Sequence, residues 1–162
     1  MVTSPAPRPH QGLGGGLLED ALDVLRLPDA MASQLIEHAI AEYPKEACGI
    51  IGGPPGEASK LYRLTNVDSD PVMRYNADPK ELKKVTDDIY ENDWDVVAIY
   101  HSHTHSPAFP SPTDVERAFY PEASYVLVSL MDRQKPDLRA FRIIEGTITE
   151  MEVVASGDGR GK

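Results

Sequence analysis

Val96-Val97-Ala98-Ile99-Tyr100-His101-Ser102-His103-Thr104-His105, continued by Ser106-Pro107-Ala108-Phe109-Pro110-Ser111-Pro112-Thr113-Asp114, is the stretch on which the architecture of this chain turns. The unbroken apolar run over residues 96–100 marks a strand covered on both faces. On a strand, side chains two apart project to the same side, so His101 and His103 aim two imidazoles at one point while Ser102 faces away. Imidazole suits borderline divalent metals, zinc above all. Asp114 falls on the first turn of a following helix, after a proline-rich turn able to fold it back towards the strand end. Two histidines, one aspartate and a water would make an open tetrahedral site of the catalytic kind.

Outward from this core, the chain mixes strands and helices. A short strand is expected from Leu22, Val24, Leu25 and Leu27, stopped by Pro28, after which Asp29 should cap a helix over 30–43. The stripe Ala32, Leu35, Ile36, Ala39 and Tyr43 forms its buried face, and His38, in line with Gln34 and Glu42, is read as solvated. CGIIGG over 48–53 and LYRLTNV over 61–67 read as strands, and 78–91 as a helix with Leu82, Val85 and Ile89 inward. Trp94 should anchor the core at a strand entry. A short helix over 113–120 and three strands, 125–130, 138–144 and 147–154, complete the order. Strands and helices without strict βαβ alternation predict one α+β domain with a mixed sheet flanked by helices.

Composition narrows the function. The chain has 162 residues, 41% apolar and 26% charged, which suits one globular domain. Residues 1–16, with Pro5, Pro7, Pro9 and four glycines, are expected to form a disordered arm, 17–155 the domain and 156–162 a flexible tail. The arm's glycines do not make a phosphate loop, since Leu17 stands where a glycine is required and no strand precedes. Sixteen Lys+Arg against 26 Asp+Glu give a net charge of -10, which repels nucleic acid phosphate and anionic lipid, so neither is an expected partner. No secretory signal or run of about 18 apolar residues is seen, and no membrane association is expected. With Cys48 as the only cysteine there is no disulfide or multi-cysteine metal site, and a cytoplasmic setting is expected. Cys48 itself reads as a small packed hydrophobe. Other uses of His-x-His fail. A hydrolase barrel needs about 250 residues, zinc deaminases need a PCxxC motif, and HExxH and GxSxG are absent.

One further element lies upstream, in Tyr43-Pro44-Lys45-Glu46-Ala47-Cys48-Gly49-Ile50-Ile51. Glu46 before a Cys-Gly apolar strand, then His-Ser-His, Ser111 and Asp114, resembles the signature of the JAMM (MPN+) metallopeptidases. Asn66, Tyr75 with Asp78-Pro79, and YVLVSL fit the family's flanking pattern, and the resemblance spans roughly Leu22 to Val154. Thr104 departs from the commoner proline, towards the subgroup that removes cysteine from a sulfur carrier protein. The resemblance implies an MPN/JAMM-like fold with a curved mixed sheet and one Zn2+ per chain, held by His101, His103 and Asp114. It also implies Glu46 as general base and Ser111 as donor to the oxyanion of the tetrahedral intermediate. Read without it, Glu46 is a surface glutamate and Ser111 with Asp114 a plain helix start. His105 is read as a solvent histidine or a support for the ligands. The implied substrate is a small β-grasp carrier cut after its C-terminal Gly-Gly to release cysteine. The alternatives are an isopeptide between a ubiquitin-like tail and lysine, and a non-catalytic MPN scaffold. A Gly-Gly tail suits a narrow slot and could add to a strand edge beside the site.

Overall fold

The computed structural model describes residues 24–155, so the expected arm, the first residues of the expected domain and the tail over 156–162 lie outside the described residues. In chain order the elements are β1 (Val24–Arg26), α1 (Asp29–Glu42), β2 (Cys48–Gly53), β3 (Lys60–Leu64) and α2 (Pro79–Glu91). They continue with β4 (Asp95–His103), α3 (Pro112–Glu116), β5 (Ser124–Ser129), β6 (Asp137–Ile144) and β7 (Thr147–Val154). The strands form one seven-stranded sheet in the order β1-β7-β6-β5-β4-β2-β3. Its β1–β7 and β4–β5 pairs are parallel and the rest antiparallel, the mixed α+β arrangement expected from the sequence.

Strand alternation divides the core. Ala98 and Tyr100 of β4 point to the face covered by α1, where Leu35 and Ala39 pack with Ile51, Val126 and Val128. Ile99, His101 and His103 point to the other face. There Val85 and Ile89 of α2 pack on Cys48, Ile50 and Leu64, and Tyr120 and Ala123 pack on Tyr125, Leu127 and Phe141. Trp94 packs at the entry to β4 against the α2 cluster, as expected. Cys48 is buried, and burial pushes its thiol up to about 12, so it behaves as a small hydrophobe.

Several local expectations are corrected. The α1 helix begins one residue early: Pro28 is its N-cap and Asp29 lies in the first turn without capping. Its buried face is Met31, Leu35, His38 and Ala39, so the stripe is rotated and His38 is inside. β3 ends at Leu64, because Asn66 turns away to bond the next loop, and α3 ends at Glu116 with Arg117 as its C-cap, short of the expected Tyr120. β4 is longer than its apolar run and carries both histidines within the strand.

Candidate metal centre

The C-terminal end of β4 and the start of α3 build the centre. Ser111 caps α3 by accepting from the Asp114 N–H at 3.1 Å, while Asp114 Oδ2 accepts from the Ser111 N–H at 2.9 Å. This reciprocal capping box, with Pro112 pre-set for the first turn, fixes the Asp114 carboxylate. The same Oδ2 atom lies 3.2 Å from His101 Nε2 and 3.0 Å from His103 Nε2, and the two imidazole nitrogens are 3.3 Å apart. Metal bonds of 2.0–2.1 Å in a tetrahedron require ligand separations of about 3.3–3.4 Å. The three donor atoms therefore already stand near the spacing of a zinc-type site, and their residues fit a divalent cation.

The surroundings orient those donor groups. His103 Nδ1 bonds the Pro107 carbonyl at 2.8 Å, which puts its proton on Nδ1 and leaves the Nε2 lone pair facing the cluster. His101 stacks on Tyr75 with ring centroids 4.6 Å apart, and its buried Nδ1 has no partner among the described residues. Burial opposes ionisation of Asp114, but the two imidazoles and the Ser111 N–H outweigh it and hold the carboxyl far below the usual range. For His103 the same balance, with Asp114 and the Pro107 carbonyl against burial, raises the imidazole, whereas burial dominates at His101 and lowers it.

Glu46 stands beside this cluster with its backbone tied down and its carboxylate free. Its N–H donates to the Pro71 carbonyl at 2.7 Å, and its carbonyl accepts from Asn66 Nδ2 at 2.9 Å. The next residue is clamped to β4: Ala47 N–H donates to Ser102 Oγ at 2.7 Å, and Ser102 N–H to the Ala47 carbonyl at 3.0 Å. Glu46 is only 6% exposed, and its carboxylate makes no hydrogen bond to any described residue. Burial pushes it up to about 8; the His103 imidazole opposes this, and Asp114, Asp68 and Asp70 reinforce it. The Ser111 hydroxyl spends one lone pair on the cap, and its hydrogen has no acceptor among the described residues.

The structure thus gathers His101, His103 and Asp114 into one group, with Glu46 and Ser111 at its border. His105 is not in it: the residue is exposed in the turn, with Nδ1 2.9 Å from Thr104 Oγ1 and its ring against Tyr43. β4 itself has no free edge, since β2 pairs it on one side and β5 on the other; the edge strand on this side of the sheet is β3. Three contributors were not given a role in the sequence reading. Asn66 bonds Glu46, Pro71 and Arg74 carbonyls through Nδ2 and accepts from the Asp68 and Asn76 N–H groups, so it shapes the whole loop bordering Glu46. Tyr75 supplies the ring under His101. His38, read as solvated, instead bonds the Tyr100 hydroxyl at 2.8 Å behind the metal strand. Its spacing of seven from Met31 and three from Leu35 was the available signal.

The fold and this centre define a class. Residues 28–144 match the family described as prokaryotic homologs of the JAB domain (Prok-JAB), and the chain belongs to it. Among its relatives, the CysO-cysteine peptidase of Mycobacterium tuberculosis is 39% identical over 132 residues, 80% of this chain and 90% of the relative. A Thermus thermophilus protein described as "Probable TtuB-protein conjugate cleaving protease" is 33% identical over 123 residues, 76% of this chain and 78% of the relative. The solution structure of a Desulfitobacterium hafniense protein superposes with a TM-score of 0.71 at 32% identity, covering 82% of this chain and 92% of that one.

Proposed function

We propose that this chain is a zinc-dependent metallopeptidase that hydrolyses the peptide bond after the C-terminal Gly-Gly of a small β-grasp sulfur carrier protein and releases cysteine. The carrying observation is the convergence of His101, His103 and Asp114 at metal-ligand spacing beside a buried glutamate whose carboxylate is uncommitted. His101 Nε2, His103 Nε2 and Asp114 Oδ2 would hold one Zn2+. When bound, zinc supplies Lewis acidity that polarises the scissile carbonyl and brings the pKa of water towards neutrality.

The protein's own groups do the rest. Glu46 takes the proton of the attacking water and returns it to the departing amine. Burial raises the proton affinity of Glu46, and a cation at the cluster would oppose that and keep the carboxylate ionised to accept the proton. Ser111 donates its free hydroxyl hydrogen to the oxygen on which negative charge develops. Overall, water adds across the amide: the hydroxyl goes to the glycyl carbonyl carbon and a proton to the amine of cysteine.

The choice of substrate follows the relatives, one of which is named for cysteine removal from CysO. The Thermus relative is named for cleavage of protein conjugates, which keeps a lysine isopeptide as the second reading. A scaffold role is disfavoured because all five site residues are present and gathered. Among the described residues no helix is long and apolar enough to cross a membrane, and the free, buried Cys48 fits the cytoplasm. Intact-mass analysis of a cysteine-tipped carrier, with and without a chelator, is the test. Loss of one cysteine residue, blocked by chelation, is expected; no loss with zinc-loaded protein moves the assignment to the isopeptide.

A further inference from the structure

A cavity of about 240 Å³ shares a wall with the metal centre. Its floor is Cys48, which pairs across from His101 in the β2–β4 ladder, together with Ile99 and Tyr125. Tyr75, which stacks on His101, and Arg117, three residues beyond Asp114, form its near side. The lining is apolar or phenolic except for Asn76 at the exposed rim and the Arg117 guanidinium.

Arg117 is the unusual member. It is half-buried, yet the one hydrogen bond of its side chain to a described residue runs from Nη1 to the Tyr75 carbonyl at 3.0 Å. It forms no ion pair with any described carboxylate. Asp68 lies within its field but is bonded by Arg74 at 3.3 Å. A guanidinium carries five donors, and with one of them given to the Tyr75 carbonyl the others can receive an anion in the cavity. The metal group apart, this border carries Glu46, Asp68 and Asp70 on a chain of net charge -10. A peptide C-terminus would be repelled unless a cation met it.

We infer that Arg117 receives the free α-carboxylate of the C-terminal residue split from the carrier, and that this residue's side chain enters the cavity beside Tyr75 and Tyr125. The inference rests on the peptidase reading above and deepens it. A C-terminal cysteine presents a carboxylate one residue past the scissile bond, whereas a lysine isopeptide presents none there. Arg117 would thus favour the release of a single terminal amino acid over the cutting of a protein conjugate. The carboxylate is unchanged by hydrolysis, so the contact serves substrate and product alike.

The test uses two conjugates identical through Gly-Gly, one ending in cysteine free acid and one in cysteine carboxamide, with the zinc-loaded full chain. The readout is the ratio of their kcat/KM values. A charge-assisted hydrogen bond predicts a preference for the acid of about 10- to 100-fold, expressed mainly in KM. Arg117→Gln should bring the ratio near one, and Arg117→Lys, which keeps the charge without the fork, should retain part of it. An equal rate on both conjugates in the unsubstituted protein overturns the inference and leaves the peptidase reading standing. So does an unaltered preference in Arg117→Gln with both rates lowered alike, since that is what mere support of Tyr75 would give. Failure to cleave either conjugate overturns both readings together.

Discussion

Glu46 shows how the chemistry of one residue is set by what its neighbours do not do. Its backbone is bonded at both ends, but no described group bonds its carboxylate, which leaves that group free to take and return a proton. Glu46→Gln should lower kcat by about 10²–10⁴-fold, the usual share of a general base. Zinc content, measured by elemental analysis, should stay at the unsubstituted level because the donor set is untouched; loss of metal would make Glu46 a ligand instead. His38 gives a second prediction at this scale. Burial lowers its imidazole pKa below 6.5, the nearby Arg63 lowers it further, and Glu42 opposes. The unfolded chain then binds this proton at a higher pH than the folded one. Stability is therefore complete above the unfolded value near 6.5 and declines as pH falls through the folded one. The decline is at most about 1.4 kcal/mol per pH unit. Urea unfolding at pH 7.5 and 5.5 should show a smaller difference for His38→Gln than for the unsubstituted protein; equal differences would remove His38 from the account. The placement of His101, His103, Ser111 and Asp114 was legible in the sequence because strand parity and helix capping are local rules, and these four residues obey them. His38 was not, because its partner Tyr100 is 62 residues away and only the packing of α1 on the sheet brings them together.

Between elements, the working geometry depends on how β2 meets β4. Ser102 lies between the two histidines but points to the opposite side, where it grips Ala47 from both its hydroxyl and its amide. That pair of bonds carries the Glu46 backbone to a fixed height against the metal strand. Ser102→Ala leaves the Ala47 N–H buried and unpaired, at a cost of about 1–3 kcal/mol. Urea unfolding should report that loss, and steady-state kinetics should show kcat falling more than KM with zinc content kept. A normal kcat would separate Ser102 from the chemistry. Further along the same ladder, Gly49 lies under the Tyr100 ring, and a Cβ there would collide with it. Gly49→Ala should cost about 1–3 kcal/mol as an overpacked core does. The cost should shrink in a Tyr100→Leu background, a coupling that a double-mutant cycle reads directly. The strands at 48–53 and 147–154 were readable from apolar runs and turn residues alone. The loop from Asn66 to Asn76 was not, since one side-chain amide bonding five backbone groups replaces any periodic pattern.

At the scale of the whole molecule, the question is which state the metal holds together. His101 and His103 are close in sequence, but Asp114 reaches them only after a turn and a capped helix, and both histidines need β4 to be paired on each side. A cation bound at three such donors stabilises the native state far more than the unfolded chain. With zinc at 100 times its dissociation constant the gain is about 2.7 kcal/mol, which for a domain of this size raises Tm by roughly 5–11 °C. Chelation should remove that increment, and added zinc should restore it in a thermal scan. The increment also divides the site by role. Asp114→Ala should abolish most of it, because one of three ligands is gone. Glu46→Gln should keep it in full while losing turnover. An increment surviving in Asp114→Ala would put the stabilising metal somewhere other than this centre. Its disappearance in Glu46→Gln would merge the base with the donor set and undo the separation of holding from catalysis on which the proposed mechanism stands.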